Sequence, residues 1–366
     1  MTKYFYVLNK IKPHYRKVIK LSLWEKLNSL SDFLLYHNLV VMGLLYLFNV
    51  IVYLPLIKGL IVLLSFLSII LGSAYLSLIE RHIVAIVQRR VGPSITGGSF
   101  GLLQPLMDGL KLLLKEISIP SKAQKFLFFF GPFFTFIVTL LAWSLVDFDP
   151  YWSPFMKIEH NLLGVITLLV ISSFGILISS WFSNNKFAML SAIRSISLSI
   201  SYGLSLTLIF LTPCYLSNSF NLTEIIFHQQ TQWYIWSCFP LSILFWIVLL
   251  TEIKKIPFDV SESEAELASG YMIEYSGSNF AVLVISEYIY ILALLTLFNC
   301  LFLGGMINGF FYFILKQFFL VMLYFVIRSI LPNFRYDQIM TLHWKYILPS
   351  SLIYLLFAIY ISSIIW

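Results

Sequence analysis

Eight core transmembrane helices in an all-α polytopic membrane protein are expected from three properties of this sequence. Charged residues make up 11% of the chain and hydrophobic residues 59%, where soluble domains carry roughly 25% charged residues. Apolar runs close to the ~20 residues needed to cross a bilayer recur along its length. The connections between those runs alternate between basic and neutral, the pattern that fixes orientation in a membrane.

Residues 1–58 read as a basic N-terminal extension, with seven Lys or Arg in 1–38 against Glu25 and Asp32. Its opening is poor in Ser and Ala and matches a transit peptide only loosely. The apolar stretch 39–57 fits three readings equally. It is a ninth span turned by Pro55 and Gly59, an interfacial helix, or one kinked helix continuous with the next. The membrane domain then occupies 59–366, with spans at 59–79, 126–146, 162–182, 187–212, 237–252, 279–303, 308–331 and 347–366. Its odd-numbered connections include the long loops 80–125, 253–278 and 332–346. Those connections carry twelve basic residues, whereas the even-numbered ones carry only Lys157. The odd connections are therefore expected on the matrix or cytoplasmic side.

The formal net charge of +7 does not imply nucleic acid, since the basic residues lie between apolar runs rather than on one face with stacking aromatics. In that position they set topology and meet anionic lipid. Cys214, Cys238 and Cys300 form no CxxC pair, and the six His show no ligand spacing, so no metal site, cluster or haem is expected on this chain. The 34 Phe and 21 Tyr suit a gene from an A/T-rich organelle genome. No internal repeat of the kind common in secondary transporters is visible.

The first long connection, ERHIVAIVQRRVGPSITGGSFGLLQPLMDGLKLLLKE (80–116), ends in an amphipathic helix. Gln104, Asp108, Lys111 and Lys115 follow one face, and Leu102, Leu103, Leu106, Leu110, Leu113 and Leu114 cover the other. Such a helix lies along the bilayer surface or lines a cavity mouth. The Gly-rich loop before it lacks the order of a phosphate-binding loop. Farther on, PFDVSESEAELASGYMIEYSG (257–277) gathers Asp259, Glu262, Glu264, Glu266 and Glu274 within sixteen positions. No Lys or Arg occurs from 256 to 315. Asp259 and Glu262 have the spacing of a helix-capping pair, and Asp259, Glu262 and Glu266 share a helical face. Crowded carboxylates raise one another's pKa and bind protons jointly, so the patch suits proton exchange near neutral pH. The plainer alternative is a hydrated acidic loop neutralised by Lys254, Lys255 or another subunit. Glu252 and Glu287 weigh against it, because carboxylates at or inside apolar spans usually mark an ion or substrate path. Arg335, in RSILPNFRYDQIMTLHWKY (328–346), either pairs with an acid of the patch or anchors a helix end at the headgroups.

Four segments taken together resemble one family: the 80–116 connection, SSWFSNNKFAMLSAIRSISLSISY (179–202), TEIKKIPFDVSESEAELASGYMIEYSG (251–277) with SEY at 286–288, and IRSILPNFRYDQIMTLHWKYILP (327–349). In this order they resemble the NADH dehydrogenase subunit 1 family, membrane-arm subunits of respiratory complex I. The resemblance implies a subunit of proton-translocating NADH:ubiquinone oxidoreductase that forms the ubiquinone access channel and couples quinone reduction to proton movement. By motif, the quinone-channel candidates are Glu80, Arg81, Arg90, Asp108, Phe258 and Arg335. Those for proton coupling are Glu252, Asp259, Glu262, Glu264, Glu266, Glu274 and Glu287. No catalytic residue and no cofactor is expected on this chain. Ubiquinone is the expected substrate, while NADH, FMN and iron–sulfur clusters are expected in partner subunits. Those partners are the quinone-reducing peripheral subunits and neighbouring membrane-arm subunits, with lipid around them. The implied setting is the mitochondrial inner membrane, with a bacterial plasma membrane as the alternative.

Three departures from the family pattern stand out. The family usually shows SYE where this chain has Ser201-Tyr202-Gly203, and no acid occurs between 161 and 223. Lys255 stands where the family has Arg before PFD, which keeps the charge but loses the two-pronged donor. The N-terminal extension has no counterpart. Two other classes compete: the membrane anchor of a related hydrogenase-type complex, separable by its co-purifying subunits, and a secondary transporter, which the missing repeat disfavours.

Overall fold

The computed structural model describes residues 59–60, 62–98, 100–147, 160–259, 261 and 269–365. The 39–57 stretch and the rest of the basic extension therefore lie outside the described residues. By its internal contacts the chain divides into Met1–Leu63 and Leu64–Trp366. Residues 59, 60, 62 and 63 of the first unit are described, all helical, and the remaining described residues belong to the second.

Every described element is helical. In chain order they are α1 (Val62–Val87), α2 (Gln104–Leu114), α3 (Lys125–Ser144), α4 (Asn161–Phe182), α5 (Lys186–Ser217), α6 (Leu222–His228), α7 (Tyr234–Ser237) and α8 (Phe239–Glu252). A short 3₁₀ turn, Gly270–Met272, precedes α9 (Gly277–Phe302) and α10 (Phe310–Ile330). Then α11 (Tyr336–Leu342), a π turn (His343–Ile347) and α12 (Leu348–Ile365) run as one stretch.

Among the described residues, seven helical stretches are long and apolar enough to cross a membrane. Three expectations need correction. The first span, expected to end at 79, continues as helix through Val87, so the loop expected from 80 begins two turns later. The fifth span begins at Phe239, not 237, because Pro240 in its first turn starts a new helix after the break at Cys238. At 1.5 Å per residue its 14 residues reach about 21 Å, short of a hydrocarbon core of roughly 30 Å. The loop expected at 332–346 is helical from Tyr336 onward, which extends the last membrane helix by more than two turns. The expected amphipathic helix is α2, and none of its residues is buried.

Packing order follows from side-chain size. Helices α3 and α4 cross at small residues. A Cβ on Gly131 would sit 2.7 Å from Ser179 backbone atoms, and one on Gly175 would sit 2.4 Å from Thr135 Cγ2. Each helix thus presents small-xxx-small, Gly131–Thr135 and Gly175–Ser179, which permits close backbone approach where no hydrophobic force drives association in lipid. Helix α9 packs on α3 and carries α2 and α10, while α5 holds α4, α8 and α12. The last half of α9 is buried on nearly every side, Ala293 through Phe302, as expected for a central helix. Between α5, α8 and α9, Phe210, Phe245, Phe298 and Phe302 form a ring cluster with centroids 5.1–5.8 Å apart. Each such pair adds about 0.5–1.5 kcal/mol beyond its buried area.

Three contacts dock the α10–α11 connection. Phe334 N donates to Pro257 O (2.9 Å), Tyr336 Oη and Ser197 Oγ lie 2.9 Å apart, and Tyr202 Oη donates to Ile339 O (2.8 Å). The start of the acidic stretch, α5 and the final helix are thereby joined at one end of the bundle.

Candidate functional site

Helix α1 reaches through Val87, so Glu80 and Arg81 sit on rigid backbone and point about 100° apart. Glu80 turns into the bundle. Arg328 Nη1 of α10 lies 2.5 Å from its Oε1, and Tyr288 Oη of α9 donates to its Oε2 at 2.9 Å. One carboxylate thus ties three helices. Arg81 turns outward to Asp108 of α2 at 2.7 Å, where both side chains are at least one-third exposed. Such exposed pairs are worth about 0–1 kcal/mol and serve here to orient α2. Asp108 also accepts from Gln104 Nε2 (2.9 Å), and Gln104 Oε1 accepts from Thr96 Oγ1 (2.6 Å). Arg90 shares a groove of about 390 Å³ with Glu80 and Arg81, closed by Val91, Gly92 and Pro93. The groove sets charged Glu80, Arg81 and Arg90 beside apolar Val84, Ala85 and Val91, a setting for an amphiphilic ligand with a polar head.

Among the acids of the 257–277 stretch, Asp259 and Glu274 are described, while Glu262, Glu264 and Glu266 lie outside the described residues. Phe258 is buried and stacks on Phe334 with centroids 5.4 Å apart. It acts as a plug between the acidic stretch and the α10–α11 connection. Arg335 is exposed at the start of α11, where its backbone N–H donates to Gln338 Oε1 (3.2 Å). Among the described residues no acid pairs with it. Glu274 accepts from Asn185 Nδ2 at 2.7 Å, next to the start of α5. Beside it, Tyr275 is buried against Phe128, centroids 4.4 Å apart, and its hydroxyl reaches Phe128 O and Ser179 O. Burial pushes that phenol up, so it stays a donor and pins the acidic stretch to α3 and α4.

The structure brings Glu252 and Glu287 together in one cavity among α3, α4, α8 and α9. Tyr290 Oη donates to Glu252 Oε1 at 2.9 Å, while Oε2 is buried without a hydrogen bond among the described residues. Glu287 pairs with Lys255 Nζ at 2.7 Å through Oε2, and Tyr271 donates to its other oxygen. Each acid therefore has a phenol and lies near a lysine. The remaining wall joins apolar Ile176, Ile253 and Leu283 to five hydroxyl residues, Thr135, Thr139, Ser172, Ser173 and Ser286. Each hydroxyl donates to the carbonyl three residues earlier on its own helix, at 2.6–2.9 Å. Their oxygens are left as acceptors. Centres of water-sized molecules have about 50 Å³ of room, enough for a few waters at roughly 10–15 Å³ each.

Sequence reasoning misses the phenols Tyr271, Tyr288 and Tyr290, and the hydroxyl wall. Tyr288 and Tyr290 are visible as aromatic neighbours of Glu287 at helix spacing, but only the fold shows which acids they reach. Gly203 is buried on α5, and a Cβ there would meet only Val170 Cγ2 at 3.7 Å. Packing does not require a glycine at the position where the family pattern places a carboxylate.

Known proteins share this arrangement of segments over most of the chain. Residues 58–359 match the NADH dehydrogenase family. The "NADH-ubiquinone oxidoreductase chain 1" of Chondrus crispus is 41% identical over 300 residues, covering 78% of this chain and 90% of that protein. Its namesake from Cyanidium caldarium is 41% identical over 327 residues, 85% and 92% of the two chains. A bacterial relative, an NADH-quinone oxidoreductase subunit from Rickettsia prowazekii, is 40% identical over 302 residues, 78% and 88% of the two.

Proposed function

The chain belongs to the NADH dehydrogenase family and is a membrane subunit of NADH:ubiquinone oxidoreductase; from that premise we propose that it lines the ubiquinone access channel and couples quinone reduction to proton translocation. The observation that carries the coupling half is the cavity, walled in part by hydroxyls, that holds Glu252 and Glu287. Carboxylates at or inside membrane helices are costly and usually mark an ion path, and here they share room for water. Lys255 connects the cavity to the acidic stretch: it pairs with Glu287 and lies four residues before Asp259. A quinone reduced beside the 257–277 stretch changes the charge there. Asp259, Glu262, Glu264 and Glu266 respond by taking up or releasing protons, because crowded carboxylates titrate together. Lys255 carries that change electrostatically to Glu287, and water in the cavity links Glu287 to Glu252.

The quinone half rests on the groove of Glu80, Arg81 and Arg90 beside α2. Arg81 and Asp108 tie the amphipathic helix to α1 beside the groove, and Phe258 and Arg335 are assigned to the acidic side of the proposed channel. The quinone head would meet the charged wall and its tail the leucine face. Flavin and iron–sulfur chemistry belong to the quinone-reducing partner subunits in this reading, and the site is the mitochondrial inner membrane.

Two experiments test it. Asp259→Asn or Glu264→Gln in the assembled complex lowers coupled NADH:ubiquinone turnover at least tenfold. Wild-type turnover in an assembled variant overturns the relay. A photoreactive ubiquinone analogue labels 80–93 or the α2 leucines and is displaced by excess ubiquinone; labelling confined to other subunits overturns the channel assignment.

A further inference from the structure

His343 is fully buried at the first residue of the π turn, and neither ring nitrogen has a hydrogen-bond partner among the described residues. That combination is costly in a close-packed site and calls for a reason. A neutral imidazole always presents one N–H donor and one bare acceptor, so two unused nitrogens mean an unused donor and an unused acceptor on opposite sides of one ring. The ring rests against Tyr202 of α5, centroids 4.5 Å apart and planes at 50°. Tyr202 Oη and the His343 backbone N–H both donate to Ile339 O, which fixes the histidine against α5. Leu348 N–H bonds back to His343 O across the wider π turn, a device frequent at functional sites.

The location adds the second argument. Tyr202 immediately precedes Gly203, and the sequence holds no Asp or Glu from 161 to 223. This half of the membrane domain therefore lacks a carboxylate of its own on α5. The elements packed against the turn are α5, α11 and α12. Their charged groups are Lys186 and Arg194 on α5, Asp337 on α11 and Lys345 in the turn itself. None of them makes a hydrogen bond to the ring. Lys186, Asp337 and Lys345 are exposed and Arg194 is half-buried, whereas the imidazole is fully buried.

We infer that His343 is a proton-transfer residue that passes protons between water molecules on the two sides of its ring, at the α5–α12 junction. A proton adds to the bare nitrogen, the proton on the other nitrogen leaves to the next water, and the ring is left in the opposite tautomer. Rotation of the ring by about half a turn resets it, bringing the bare nitrogen back to the side from which the proton came. Tyr202 is a positioning residue in this scheme. The inference rests on the reading of this chain as a proton-coupling subunit.

The test uses the assembled complex in sealed vesicles, with proton uptake and NADH oxidation measured together. His343→Phe keeps a ring of similar size and removes both nitrogens. His343→Gln keeps a donor and an acceptor and cannot titrate. Both are expected to lower proton uptake at least tenfold, and an infrared band of ¹⁵N-labelled histidine that shifts on quinone reduction is expected to vanish in His343→Phe. Wild-type uptake in either variant overturns the inference. If His343→Phe fails to assemble, His343→Gln decides alone. Glu252→Gln is measured beside them: when it is impaired and the His343 variants are not, the histidine inference fails by itself, and when Glu252→Gln pumps normally the cavity reading has failed instead.

Discussion

Removing one hydroxyl, by Tyr290→Phe, tests whether the cavity acts through its carboxylates. The phenol donates to Glu252 Oε1 at 2.9 Å, and Oε2 has no hydrogen bond among the described residues, so that one bond is the direct support the carboxyl group has. A hydrogen bond to a charged group contributes about 1.5–3 kcal/mol and one between neutral groups about 0.5–1.5 kcal/mol. Every 1.36 kcal/mol is a factor of ten in rate, so loss of a charge-assisted bond slows a step that depends on it by roughly tenfold to somewhat over a hundredfold. A cavity water can fill the space left by the hydroxyl and soften the effect, which places the expectation near the lower figure. The assay is proton uptake in vesicles carrying wild type, Tyr290→Phe, Glu252→Gln and the double variant, each shown to be assembled. If the phenol works only through Glu252, the double variant is no slower than Glu252→Gln alone, because the effects of contacting residues do not add. Additive losses would mean that Tyr290 acts elsewhere. Wild-type uptake by Tyr290→Phe would mean that the bond is packing and the cavity is not on the proton's route.

Other expectations concern packing and access. Gly175→Val forces a side chain into Thr135, where even a Cβ comes within 2.4 Å, and should cost well over the 1–3 kcal/mol of ordinary overpacking; loss of the subunit from the complex on a native gel checks it. Gly203→Ala meets no atom closer than 3.7 Å and removes a helix-interior glycine, so it should stabilise by about 0.5–1 kcal/mol, read as a raised midpoint of thermal inactivation. Cys238 is partly exposed while Cys214 and Cys300 are buried, so a small maleimide should modify Cys238 first, as peptide mass spectrometry will show.

Much of the fold was legible because each span is a long apolar run, and that signal is local. What was missed has physical causes. The 332–346 segment reads as a polar loop because RYDQ and HWK dominate it, yet Ile339, His343 and Ile347 recur every four residues and are the buried stripe of a helix. The α3–α4 crossing was present as two small-xxx-small patterns but was hidden among many serines and glycines. The acids could be named from sequence, but their partners could not. Glu80 and Arg328 are 248 residues apart, and only the packing of α1 against α9 and α10 makes them neighbours. Tyr288 and Tyr290 differ by two positions and serve different acids, Glu80 and Glu252, because helical rotation turns them about 200° apart.

The acidic stretch seemed to lack counterions because the nearest cations in sequence are the two lysines before it. In the structure those lysines reach the membrane acids: Lys255 pairs with Glu287, and Lys254, buried with φ +59°, acts on Glu252. On the proposed reading this arrangement is what makes the site responsive. A lysine shared between loop acids and a membrane acid cannot satisfy both fully, and at an effective dielectric near 20 two charges 4 Å apart still interact by about 4 kcal/mol. Protonation of the loop therefore strengthens the hold of Lys255 on Glu287, and its deprotonation weakens it. Replacing the family's Arg by Lys at this position favours such switching. A compact ammonium turns between partners on single bonds, whereas a guanidinium fork holds one carboxylate with two bonds at once.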